Sequence, residues 1–133
     1  MDINKKIPLT DSNVIISFFA EDKHFDQSRE IISEGVYVND FILCETLNFF
    51  QNKFSFYISH KIEKLILTNT ENFCHLPSHL NFYLKAMEIR EKFAYNQLTF
   101  TDSFILSQAE FHGLKVCTRD QKMKNYEKVG FVI

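Results

Sequence analysis

Four acidic residues, Asp11, Glu45, Asp102 and Asp120, each stand beside an apolar run. Asp11 follows Ile7-Pro8-Leu9-Thr10, and Glu45 follows Phe41-Ile42-Leu43-Cys44. Asp102 precedes Phe104-Ile105-Leu106, and Asp120 comes just after Leu114-Lys115-Val116-Cys117-Thr118. Carboxylates next to core segments need partners, because burying an unpaired charge is costly. Gathered by the fold, the four make a hard-oxygen site suited to Mg²⁺ or Mn²⁺.

Three of the acids have a second explanation. Asp is a favoured helix cap, so Asp11 is as well placed to cap a helix beginning near Asn13 as to bind an ion. Thr99-Phe100-Thr101-Asp102 fits the capping-box pattern, and Asp120 can cap a short helix after it. Glu45 differs. It falls inside a helix among Phe41, Leu43, Cys44, Leu47, Phe49 and Phe50, where capping does not explain it and a specific partner is expected.

The elements that must position these residues can be read from hydrophobic spacing. Ile7 to Thr10 is a short apolar run, with a helix from Asn13 to Ala20 behind it. Asp22 to Glu34 is an amphipathic helix that Gly35 ends. Val36-Tyr37-Val38 is β-rich, and Asn39 or Asp40 caps a helix over Phe41 to Lys53. Helices follow at Ser59 to Asn69, His79 to Tyr95 and Thr101 to His112, the last ended by Gly113. Asn72 to Leu76, Lys115 to Thr118 and Phe131 to Ile133 read as strands, with a short helix from Gln121 to Tyr126. Short apolar runs alternating with helices predict right-handed βαβ units, a central parallel β-sheet and a three-layer α/β/α sandwich. Ligands of such folds bind beyond the carboxyl ends of the strands. Asp11 and Asp120 are expected there, directly after strands, with Glu45 and Asp102 on helices entered from or near that edge.

Length and composition agree. The chain's 133 residues fit one domain, residues 1–133, and it is 45% hydrophobic and 24% charged, ordinary for a globular protein. Three Gly and two Pro leave little room for structureless segments, while 15 Phe exceed what a core needs and suggest an interface. A net charge of -2 gives no overall nucleic-acid footprint. Locally, Lys115, Arg119, Lys122, Lys124 and Lys128 cluster around Asp120. A solvated helix face explains such a run by itself, but Arg119, Lys122 and Lys124 are also placed to hold a phosphate backbone. Cys44, Cys74 and Cys117 are odd in number and far apart, and read as buried thiols in a reducing compartment. With no signal-peptide run at Met1 to Lys6 and no membrane-length apolar stretch, a cytoplasmic protein is expected.

Other chemistries are poorly served. Cys74, His75 and His79 make only part of a zinc set. GxxxxGK[ST], GxGxxG and GxSxG do not occur, and Ser12 has no nearby His to activate it.

Three blocks resemble the PIN-domain family, specifically its small VapC-like ribonucleases. Leu9-Thr10-Asp11-Ser12-Asn13-Val14-Ile15-Ile16 is similar to the opening strand and Asp-x-Asn turn. Asn39-Asp40-Phe41-Ile42-Leu43-Cys44-Glu45-Thr46-Leu47-Asn48 is similar to the helix bearing the family's Glu. Leu98 to Ala109, continued by Gly113 to Asp120, is similar to the segment bearing the last two acids. Ser12 stands where Thr is common, and Met123 where an aromatic is common, and neither removes a ligand. The segment from Lys53 to Tyr95 is not diagnostic.

This resemblance implies a Mg²⁺- or Mn²⁺-dependent endoribonuclease whose products carry a free 3′-hydroxyl and a 5′-phosphate. Asp11, Glu45, Asp102 and Asp120 correspond to the acidic quartet, with Asn13 and Thr118 supporting it. It also implies a type II toxin paired with an antitoxin, whose helix lies in a hydrophobic groove. The aromatic stretch Phe49, Phe50, Phe54, Phe56 and Tyr57 is a candidate for that groove, for a homodimer face, or equally for ordinary core. Two other readings stand beside this one: a PIN nuclease of RNA processing with no antitoxin, and a non-catalytic interaction domain whose acids are only caps. An acid-dependent phosphatase ranks below them, because it needs a second Asp two residues after the nucleophile, where this chain has Asn13.

Overall fold

Short β-branched and aromatic runs supply five strands, each followed or preceded by helices that cover the sheet. The computed structural model describes residues 1–93 and 97–133. In chain order these are β1 (Leu9–Thr10), α1 (Ser12–Ala20), α2 (Phe25–Ser33), β2 (Val36–Val38), α3 (Asp40–Lys53), α4 (Phe56–Thr68), β3 (Phe73–His75), α5 (Leu80–Lys92), α6 (Phe100–His112), β4 (Val116–Cys117) and β5 (Phe131–Val132). A 3-10 turn, Met123–Asn125, precedes β5. The end of the expected long helix at Tyr95 lies outside the described residues.

All five strands are parallel, in the order β3-β2-β1-β4-β5. Leu9 of β1 pairs with both Tyr37 and Val116, so β1 is central. The chain runs outward from β1 through β2 to β3, then crosses back to lay β4 on the other side of β1. That reversal opens a crevice at the carboxyl ends of β1 and β4, where open α/β sheets bind ligands. Among the described residues six α-helices flank the sheet: α1 packs on both α2 and α3, α3 on α4, and α5 on α6. Right-handed crossovers in opposite directions put these groups on opposite faces, giving the expected three layers.

Caps fix several helix ends. Asn39 Oδ1 accepts the Ile42 N–H at 2.9 Å and starts α3. Ser55 Oγ accepts the Ile58 N–H, so α4 begins at Phe56, three residues before hydrophobic spacing alone places it. After β4 a 3-10 turn replaces the expected short helix, because Asp120 Oδ1 takes the Lys122 N–H in a local turn. Gly113 ends α6 at φ +67, a left-handed conformation that costs glycine little.

The main core joins Leu9, Ile15, Val36, Ile42, Ile105 and Val116 around the sheet. A second cluster packs Phe82, Ala86 and Phe104 with Phe41, Tyr83 and Phe100. Phe41 and Phe104 lie 4.7 Å apart between ring centroids, tying the first turns of α3 and α6 together. The buried Asn39 Nδ2 donates to Gln108 Oε1 at 2.7 Å and strengthens that tie. The aromatic stretch divides: Phe50 is core, whereas Phe54, Phe56 and Tyr57 are exposed by 55, 70 and 64%. Among the described residues, no helix is long and apolar enough to cross a membrane.

Candidate active site

Asp11 is the first residue after β1 and lies in the crevice between β1 and β4. Its N–H donates to Cys117 O at 2.9 Å, continuing the ladder one residue past the strand. Its carboxylate is 5% exposed. Oδ1 accepts the Ser12 N–H at 2.7 Å, so the capping role is real. Oδ2 accepts the Thr118 hydroxyl at 2.8 Å and Asn13 Nδ2 at 3.2 Å. Asn13 Nδ2 also reaches Thr118 Oγ1, and its Oδ1 accepts the Arg119 N–H. The two expected supporting residues therefore lock the exits of β1 and β4 around one carboxylate.

The other acids act on Asp11 through their fields. Burial first, then the charges of Asp102 and Glu45, push the Asp11 carboxyl to about 6 from its ordinary 3.8, against the Thr118 and Ser12 hydrogen bonds. Glu45 is raised by burial and by Asp102. Asp102 is raised by burial and by Asp120, with the Thr99 hydrogen bonds and Lys122 opposing. Through these fields each of the four acids acts on, or is acted on by, at least one other. Asp120 joins through Asp102. Asp120 is also less directly attached to its strand than expected, since Thr118 and Arg119 intervene after Cys117.

Asp102 caps α6 and lies within the field of Asp120. Thr99 Oγ1 accepts the Asp102 N–H, and the Thr99 N–H donates to Asp102 Oδ2, completing the capping box. Oδ1 is left for other work. Glu45, one turn into α3, accepts the Ser12 hydroxyl at 3.2 Å. Ser12 is the residue that sequence reasoning passed over. In sequence it reads as a serine with no His to activate it, standing where Thr is common, yet it uses its N–H on Asp11 and its hydroxyl on Glu45, and its position between an acid and Asn13 is the available signal.

The basic residues separate. Lys122 is exposed and close enough for its charge to act on Asp102. Arg119 is not available as a phosphate binder. Its guanidinium donates to Ser17 Oγ, Ser28 Oγ, Gln27 Oε1 and His24 O, tying the β4 exit to α1 and α2. Lys124 is likewise committed, its ammonium donating to Ile133 O. Of the three cysteines expected to be buried only Cys117 is: Cys44 lies on the exposed side of α3 and Cys74 is half-buried at the sheet edge, while burial pushes the Cys117 thiol up to about 11, which makes it inert. His75 pairs with Asp40 at 2.7 Å rather than joining a zinc set.

A patch of four coupled carboxylates fits a hard divalent cation by donor chemistry: all oxygen, partly buried, and repelling one another without a compensating charge. The fit is one of donor type: among the described residues, no group of three or more His, Cys, Asp or Glu side chains is drawn together closely enough to hold a metal ion.

The PIN domain family model matches residues 9–129. No curated protein sequence matches the chain. Solved structures of similar fold include a toxin–antitoxin complex from Klebsiella pneumoniae, 17% identical, with a TM-score of 0.72 over 95% of this chain and 96% of that one. The Mycobacterium tuberculosis toxin VapC20, described as cleaving the sarcin-ricin loop, is 12% identical, with a TM-score of 0.75 over 90 and 94%. VapBC2 from Rickettsia felis, bound to a fragment of its promoter DNA, is 11% identical, with a TM-score of 0.74 over 95 and 97%.

Proposed function

The chain belongs to the PIN domain family, and from that premise we propose that it is a metal-dependent endoribonuclease, the toxin of a type II toxin–antitoxin pair acting in the cytoplasm. The observation that carries this reading is the buried Asp11 carboxylate at the β1–β4 crevice, held by Thr118 and Asn13 and lying within the fields of Glu45 and Asp102. Isolated helix caps have no reason to share a field in this way. A single domain spanning residues 1–133 is part of the same proposal.

Asp11 and Asp102 would hold a Mg²⁺ or Mn²⁺ ion directly, and Glu45 and Asp120 directly or through water. When bound, the ion supplies Lewis acidity for phosphodiester hydrolysis and offsets the crowded negative charge. The chain's own groups do the positioning. Thr118 and Asn13 fix the rotamer of Asp11, Ser12 fixes Glu45, and Thr99 fixes Asp102. Such supporting bonds typically matter by about 10- to 100-fold in metal affinity or activity. The test is cleavage of RNA with and without Mn²⁺ by the wild type and Asp11→Asn.

Lys122 is the group best placed to meet a phosphate beside the acids. Lys122→Ala is expected to weaken RNA binding and lower the salt slope by about 1, the loss of one phosphate contact. Affinity measured between 50 and 200 mM salt checks this, and an unchanged slope removes Lys122 from the interface.

An antitoxin partner is supported by the neighbours described as toxin–antitoxin assemblies and by an apolar groove of about 380 Å³. Phe18, Phe19, Ile32, Leu65 and Phe73 line it, on α1, α2, α4 and β3. An amphipathic helix suits such a groove, and exposed Phe54, Phe56 and Tyr57 remain for a homodimer. Coexpression with the product of an adjoining small reading frame is expected to give a co-eluting, cleavage-inactive complex. A chain that elutes alone and stays active would favour RNA processing without an antitoxin.

A further inference from the structure

Beyond the acids, a trough runs outward from Glu45 between α1 and α3, with a volume of about 530 Å³. Ser12 and Ile16 form its α1 wall, and Asn48, Phe49, Asn52 and Lys53 form its α3 wall. We propose that this trough is a base-reading subsite for single-stranded RNA, in which Asn48 and Asn52 select the nucleotide next to the cleaved phosphate. The proposal rests on the nuclease reading and adds to it the determinant of sequence preference.

Helix periodicity aligns the trough with the chemistry. Asn48 and Asn52 lie three and seven residues beyond Glu45, on the same face of α3. Glu45 and Ser12 join at the inner end, so a strand whose phosphate reaches the acids passes next along the two carboxamides. Both asparagines are exposed. Asn39 and Thr46 have internal work on this helix, the first capping its start and the second donating to Ile42 O. Among the described residues, neither Asn48 nor Asn52 has an internal hydrogen-bond partner. Asn is also one of the poorer residues for a helix interior, so helix stability does not account for two of them at this spacing.

The lining suits an unpaired base. A carboxamide offers a donor and an acceptor together, the pattern that reads a base edge. Phe49 is half-buried and presents ring surface between the two asparagines. Lys53 closes the outer end, its ammonium 5.5 Å from the centre of the Phe49 ring, where it can meet the next phosphate. Side chains do not read the deep major groove of duplex RNA, whereas splayed single-stranded bases expose both their edges and their faces.

Fluorescence anisotropy on full-length Asp11→Asn, which holds RNA without cutting it, separates this idea from the nuclease reading. The probes are labelled single-stranded RNAs differing at the nucleotides flanking a central phosphate. Affinities are expected to differ by about tenfold or more across the set. Adding Asn48→Ala and Asn52→Ala should compress that spread below about twofold, since the discriminating hydrogen bonds are gone. Both alanines are good helix formers at exposed positions, and a thermal melt verifies that the fold is kept. A spread that survives the double substitution, or no spread in the parent, overturns the subsite. Binding that discriminates while wild type fails to cleave with Mn²⁺ would instead overturn the nuclease reading alone.

Discussion

Asp11→Asn is expected to abolish metal-dependent RNA cleavage, by about 10³-fold or more on the scale set by removing one preorganised electrostatic group, while making the metal-free protein more stable at pH 7. The two effects share a cause. Asp11 is buried under the charges of Asp102 and Glu45, and its carboxyl titrates near 6 rather than 3.8. A folded-state value above the unfolded one means that the folded chain binds the proton more tightly. Stability therefore falls as pH rises from about 4 to about 6, and the full burden is present above that window. At pH 7 the difference amounts to about 3 kcal/mol at most. Asn removes the charge and keeps an oxygen for the Ser12 N–H, but its amide nitrogen stands in for Oδ2 and loses the hydrogen bonds from Thr118 and Asn13, at about 1 kcal/mol each.

The net expected gain is about 1 kcal/mol at most at pH 7, turning into a loss of about 2 kcal/mol below pH 4, where only the missing hydrogen bonds remain. Urea unfolding in chelator at the two pH values measures it. Calorimetry supplies the complement: Mn²⁺ should bind the wild type more tightly at pH 7.5 than at pH 5, where the ion must displace a proton. A variant that cleaves like the wild type would remove Asp11 from the chemistry. A wild type that binds no Mn²⁺ at either pH would leave the acids as caps.

Arg119→Ala is expected to destabilise the fold by about 3 kcal/mol, from the loss of several charge-assisted hydrogen bonds. The guanidinium joins the β4 exit to Ser17 on α1 and to Gln27 and Ser28 on α2. Ser28 is fully buried and would be left without that partner. Arg119→Lys should recover little, because an ammonium presents its donors from one nitrogen and cannot span acceptors that the guanidinium serves from two. Since Thr118 and Asp120 flank Arg119, cleavage should fall with stability, whereas the salt slope of RNA binding should not change. The opposite pattern, a stable variant with a reduced slope, would return Arg119 to the RNA interface.

Much of the site was legible because its residues break local expectations. Glu45 in an apolar helix needed a partner, and its partners are Ser12 and the field of Asp102. Thr99 and Asp102 were legible as a capping box, which the structure completes while leaving Asp102 coupled to its fellow acids. Ser12, Arg119 and Lys124 were not legible in their roles. A hydroxyl or a cation has the same sequence signature whether it faces solvent or a neighbouring helix. The start of α4 was missed because its cap, Ser55, sits among aromatics that look like continuing core.

The sequence by itself determined which segments alternate between strand and helix, since burial on a pleated or helical face demands that spacing of apolar residues. It also determined the chemistry on offer, four carboxylates and a few polar supports. Only the tertiary structure decided that β1 lies between β2 and β4. Strand order depends on which crossover reverses direction, and no local pattern encodes that. Through that reversal Asp11 meets Thr118 across 107 positions of chain, and four separate acids come to share one field.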